Sequence, residues 1–152
     1  IKLQSTGEMI PKTSPDQLVV NGIVGDGAAI SFQVRGGMTR GLEFLFEIHG
    51  EAGDLVLEAT TRASTQRQEL SVRGARGAGT PLAALEIPAK YRWVPDTTPR
   101  DSPYNVAQLY AALGTAIRDG KPAVPGFDAA VTRHRMLDMI TRASETGQTQ
   151  IA

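Results

Sequence analysis

The chain has 152 residues, and its 16 Lys plus Arg balance 16 Asp plus Glu, so nothing in its overall charge draws it to nucleic acid or an anionic membrane. It contains no cysteine, which excludes disulfides, thiolate catalysis and cysteine-ligated metal. An apolar fraction of 41% suffices for one globular domain over residues 1–152, and no apolar run reaches the roughly 18 residues of a spanning helix. No export signal is visible at the N-terminus, so the cytoplasm is the expected compartment. The sequence opens directly on Ile1 with no capping element and reads as a piece of a longer protein.

Residues 1–16 are polar with one apolar spot, Met9-Ile10, followed by Pro11 and Pro15. Each proline removes a ladder donor, so this segment is expected to be a connector or an edge strand. Gln17 to Val24 is a strand-rich run, and Gly25-Asp26-Gly27 supplies the positive-φ positions of a short hairpin loop. In the next strand, Ala28, Ile30, Phe32 and Val34 alternate with Ala29, Ser31, Gln33 and Arg35, which predicts one buried and one polar face.

Gly41 to Glu58 reads as a second hairpin. Leu42, Phe44, Phe46 and Ile48 share one face of its first strand, and Leu55 and Leu57 share one face of its second. This hairpin is predicted to be the middle of one sheet. Residues 59–68 are polar and expected to be a loop. Short strands are predicted at 69–73 and 84–87, with Gly74-Ala75-Arg76-Gly77-Ala78-Gly79 as a flexible connector between them.

The proline-rich stretch 88–103, which holds Trp93, reads as an extended crossover. Ser102-Pro103 then opens a helix that runs to about Asp119 and stops at Gly120, with Val106, Leu109, Tyr110, Leu113 and Ile117 as its apolar stripe. A second helix, from about Ala129 to Thr146, is capped by Asp128, ended by Gly147, and buries Met136, Leu137, Ile140 and Ala143. Strands followed by helices predict an α+β fold: an open, predominantly antiparallel β-sheet with helices packed on one face.

No chemistry-bearing constellation emerges from the residues. Neither glycine-rich segment opens a helix after a parallel strand, so neither is a dinucleotide cradle. His49 and His134 lack metal-ligand spacing, and no metal site is expected. There is no serine elbow. Glu43 and Glu47 share a strand face about 13 Å apart, too far for an acid–base pair. Ser31, Gln33 and Arg35 on one strand and Glu43, Glu47 and His49 on the next would form a mixed polar face. That face suits a hydroxyl-rich ligand, a wet subunit interface or plain solvent, and composition does not choose among them.

Several segments resemble a known family. Ile48-His49-Gly50-Glu51-Ala52-Gly53-Asp54-Leu55 is similar to the I-x-G-x-x-G-x-L hairpin in the C-terminal domain of the Gfo/Idh/MocA oxidoreductases. Asp119-Gly120-Lys121-Pro122 and the helix ending Arg142-Ala143-Ser144-Glu145-Thr146-Gly147 resemble that domain's closing elements. Ser14-Pro15-Asp16-Gln17, Arg35-Gly36-Gly37 and Tyr104-Asn105-Val106-Ala107 look most like the subgroup related to the fungal galactose-pathway repressor.

The resemblance implies the sheet domain of a two-domain NAD(P)-dependent enzyme that moves a hydride to or from a sugar or polyol. NAD or NADP would be bound by an N-terminal Rossmann domain absent from this chain. The E-K-P lysine and D-x-x-x-H elements of the family have no counterpart here, so no catalytic residue is assigned and the chain alone is expected to be inactive. Implied partners are the chain's own Rossmann domain, a sugar or polyol, and a second copy meeting it through the sheet face. Arg35, His49, Tyr104 and Asn105 are the expected substrate-facing residues, because they lie at strand ends and at the first helix start. Two other readings stay open: a non-catalytic regulator that binds a protein partner, and a free-standing dimerisation module.

Overall fold

A computed structural model describes residues 1–36, 43–59, 70–100, 102–122 and 125–151. It has the α+β character read from the sequence: antiparallel sheets and two helices. The strands divide between two sheets instead of extending one meander, and the chain forms two compact units, Ile1–Met38 with Leu137–Ala152, and Thr39–Met136. The expected loop at 60–68, like Gly41 and Leu42, lies outside the described residues.

In the first unit, residues 1–10 form a small hairpin, closed by a Lys2–Met9 bridge and turned at Gly7, which adopts φ 74°. Prolines therefore shape the segment after this hairpin and not the hairpin itself. Lys12 pairs with Asp16 at 3.1 Å. The hydrogen bond from Lys12, and then its charge, hold the Asp16 carboxyl below its ordinary range. A carboxylate lowered in this way favours the folded state at neutral pH, an effect that fades as pH falls through the lowered value.

Strand β1 (Gln17–Val24) pairs antiparallel with β2 (Ala28–Arg35), at the predicted bounds. Gly25 and Gly27, at φ 54° and 114°, make the reversal. The register puts Leu18 opposite Val34, Val20 opposite Phe32 and Gly22 opposite Ile30 on one face. The alternation is as expected, but the burial is not: Ile30, Phe32 and Val34 are 40–49% exposed. A two-stranded ladder supplies neighbours along its edges and none over its face, so alternation alone does not produce a core.

The second unit carries β3 (Phe44–Gly50), β4 (Gly53–Ala59), β5 (Ser71–Arg76) and β6 (Ala83–Ala84), hydrogen-bonded in that order. Two expectations change here. First, β3 is an edge strand, so the hairpin is not the middle of its sheet; only its β4 half is interior. Second, Gly74, Ala75 and Arg76 belong to β5, where they pair with Leu55, Asp54 and Gly53. The turn after β5 starts later, with Gly77 and Gly79 at φ 80° and 76°.

Burial in this sheet also departs from the simple alternation. The register joins Phe46 to Leu57 and Ile48 to Leu55 on one apolar face, yet Phe46, Ile48 and Leu55 remain exposed. The buried position is Val56, 3% exposed, on the face that carries Glu47 and Arg73 opposite it. Across that face Arg73 grips Glu58 with two bonds, Nε to Oε1 at 3.0 Å and Nη2 to Oε2 at 3.1 Å. The aliphatic stem of such an arginine shields an apolar neighbour as effectively as a leucine would.

Helix α1 spans Ser102–Arg118 and α2 spans Phe127–Thr146. The C-terminus of α1 is a Schellman cap, with Lys121 N–H bonding Ala116 O, Gly120 N–H bonding Ile117 O, and Gly120 at φ 64°. At the end of α2, Gly147 (φ 67°) donates to Ala143 O, the simpler left-handed cap. Asp128 lies inside the first turn of α2 and not before it, so it complements the helix dipole instead of capping. Among the described residues no helix is long and apolar enough to cross a membrane.

Candidate ligand site

The residues that come together are on α1 and on the proline-rich segment before it. Residues 89–91 form a single 3-10 turn, fixed by Tyr91 N–H to Pro88 O and Arg92 N–H to Ala89 O. The chain then runs along the start of α1 and is fastened there twice. At one point Gln108 Oε1 accepts the Trp93 backbone N–H at 2.8 Å, while its Nε2 donates to Tyr91 O at 3.0 Å. The side-chain amide thus makes the donor and acceptor pair that a neighbouring strand would offer. At the other, the Arg100 guanidinium stacks 4.6 Å from the Tyr104 ring centroid and pairs with Asp96 at 2.9 Å.

This strap explains which side of α1 is covered. Tyr104 is buried and Gln108 half-buried, four residues apart on one face, whereas Leu109, Tyr110 and Ile117 of the predicted stripe are exposed. The stripe was read from apolar spacing alone. The covered face is set by Gln108, whose amide satisfies backbone groups of another segment, and no hydropathy pattern marks such a residue. Gln108, Arg100 and Trp93 are therefore the site residues that sequence reasoning missed. The tryptophan inside a proline-rich run was the one available hint.

Of the expected substrate-facing residues, Tyr104 and Asn105 are neighbours in the first turn of α1, beside the strap. His49 lies near the end of β3, opposite Asp54, where its Nδ1–H donates to Asp54 Oδ1 at 3.1 Å. The bond leaves Nε2 as the free nitrogen of an exposed imidazole. Arg35 belongs to the other unit, where it ends β2 opposite Gln17. The expected mixed polar face is not assembled as drawn: β2 pairs with β1 and β3 with β4, so Ser31, Gln33 and Arg35 are on a different sheet from Glu47 and His49, while Glu43 precedes β3.

Tyr104 is unusual. It is 8% exposed, and its hydroxyl is buried without a hydrogen-bond partner among the described residues. A buried hydroxyl that makes no bond is destabilising by its desolvation alone. Tyr104→Phe is therefore expected to leave stability unchanged or raise it by up to about 1 kcal/mol in urea unfolding. A loss larger than that would mean the hydroxyl is paired in the folded protein.

The described residues do not fit a dinucleotide. All their strand pairs are antiparallel, and neither helix follows a glycine-rich turn off a parallel strand. Nor do three His, Asp or Glu side chains gather among them as a metal site would require.

Residues 2–59 match the family model Gal80p_C-like, described as Gal80p, C-terminal domain. That group falls within the C-terminal domains of the Gfo/Idh/MocA proteins. The matched stretch contains both hairpins, β1–β2 and β3–β4, and ends before the strap and α1. No curated protein and no solved structure matches the chain.

Proposed function

Since residues 2–59 carry a C-terminal domain of the Gfo/Idh/MocA group, we propose that the chain is the substrate-binding and dimerisation domain of an NAD(P)-dependent oxidoreductase. The parent enzyme transfers a hydride between the nicotinamide and a carbon of a sugar or polyol. NAD or NADP sits in a separate Rossmann domain, and this chain contributes no catalytic residue. Its share of the substrate site is the polar edge of α1, Tyr104 and Asn105, together with His49 and Arg35. A second copy meets it through an open sheet face, for which the exposed Phe46, Ile48 and Leu55 provide apolar area. The cytoplasm, where nicotinamide cofactors are plentiful, is the proposed compartment.

The observation that carries this reading is the family match, which includes the Ile48–Leu55 hairpin on which the resemblance first rested. The test is turnover: the intact protein, given NAD or NADP and a panel of sugars and polyols, should show substrate-dependent reduction of the nicotinamide. Bound nicotinamide without turnover on any of them would remove the enzyme reading.

One observation favours a second reading. The matching model is that of Gal80p itself, and the galactose-pathway repressor branch uses this fold to bind a protein partner. In that case the intact protein lacks the E-K-P lysine and the D-x-x-x-H histidine, and it shows no turnover. The two readings separate on those residues of the parent sequence.

A further inference from the structure

Trp93 is 57% exposed, yet its polar groups point inward. The indole Nε1–H donates to Lys90 O at 2.9 Å, and the backbone N–H is held by Gln108. A surface tryptophan ordinarily keeps its N–H for water or a partner, so that the ring is anchored by its polar end. Here that end is used internally, and the surface left to solvent is ring carbon. Neighbouring Tyr91 is not equivalent, because Lys90 Nζ lies 4.9 Å from its ring centroid and occupies one of its faces. The strap thus presents one free aromatic face, with its backbone fixed in advance at Tyr91 and Trp93.

The second observation is independent. Tyr104, one turn before Gln108 on the same side of α1, holds the buried hydroxyl that lacks a partner among the described residues. Such a group marks a place where a hydrogen-bonding atom is missing.

From these two observations we propose that the strap and the first turns of α1 form a platform for a cyclic polyol, a pyranose or cyclitol. Trp93 stacks on the C–H face of the ring, and the Tyr104 hydroxyl bonds a ring hydroxyl directly or through one water. A single indole face matches one ring in size, far below the area that a protein partner requires. A ring carrying hydroxyls around its rim can satisfy Tyr104 while its C–H face lies on the indole. Gln108 is a positioning residue, acting through the strap. The proposal rests on the sugar-or-polyol reading above and adds a contact surface to it.

Trp93 is the chain's single tryptophan, so its fluorescence reports on this platform alone. Titration with myo-inositol and with methyl β-glucopyranoside is expected to shift the emission saturably to shorter wavelength. Open-chain glucitol, which has the hydroxyls but no ring face, should leave it unchanged. Saturation-transfer NMR on the same probes then follows variants that keep their circular dichroism. Trp93→Ala should weaken binding at least about tenfold, Trp93→Phe should retain most of it, and Tyr104→Phe should weaken it about two- to tenfold.

No saturable shift with either cyclic probe, an equal response to glucitol, a response to free nicotinamide alone, or unchanged binding by Trp93→Ala would each overturn the platform. The two proposals fail separately. Turnover on sugars by the intact protein with unchanged kcat/KM in Trp93→Ala would remove the platform and leave the oxidoreductase. Binding of cyclic polyols without turnover would do the reverse.

Discussion

Gly53→Ala is expected to destabilise the chain by about 3 kcal/mol, whereas Gly50→Ala, three residues away in the same hairpin, should cost about 1 kcal/mol or less. The two glycines look alike in sequence and have different physical duties. Gly53 opens β4 at φ 147°, and a Cβ there would run into the Ala75 carbonyl oxygen on β5 and lie 3.0 Å from the Arg76 Cα. That obstacle is backbone, held by the β4–β5 ladder, so it has no rotamer by which to move aside. Gly50 has no positive φ, and a Cβ on it would meet only the Gly53 oxygen at 3.6 Å, an ordinary contact. Urea unfolding of both variants measures the difference. Equal costs would show that the second glycine of the hairpin serves only to reverse the chain.

The second large effect is expected at Gly74. A Cβ there would lie 2.7 Å from Leu85 Cδ1, 2.9 Å from Leu55 Cδ2 and 3.1 Å from the Asp54 oxygen. Gly74→Ala should cost about 2 kcal/mol by overpacking. Two of the three obstacles are side chains, and that makes the prediction sharper. Leu85 is half exposed, so Leu85→Ala alone should cost about 1 kcal/mol. Combining the two should recover about 1 kcal/mol relative to their sum, because the second change removes the atom that the first one strikes. Strict additivity would mean that the strand itself, and not Leu85, rejects the methyl.

These two glycines also show where the sequence was legible. The ends of β1 and β2, the Gly25 and Gly27 loop and both helix stops could be read directly, since each depends on local geometry that glycine alone supplies. What could not be read depends on a neighbour distant in sequence. Gly74 looked like connector because its role, making room for Leu55 and Leu85, exists only once β4 and β6 flank it. Val56 sat on the face that alternation marked as polar, and its burial comes from the interior place of β4 and from Arg73 on the next strand.

The strap was invisible for a similar reason. Gln108 is polar, and its value lies in pairing with Tyr91 and Trp93, fifteen and more residues earlier. The apolar stripe of α1 was visible by spacing, but spacing says only that residues share a face, not which face is covered. Of the four expected substrate-facing residues, sequence proximity correctly kept Tyr104 with Asn105. It had no means of knowing that Arg35 and His49 would belong to different sheets.

The central claim is that this chain is the sheet domain of a nicotinamide-dependent protein whose cofactor site lies elsewhere in the parent. Calorimetric titration of NAD and NADP into the intact protein and, in parallel, into this chain tests it most directly. The account expects saturable binding of one or both cofactors by the intact protein and none by the 152-residue chain. Failure of the intact protein to bind either, or binding by this chain alone, would contradict it.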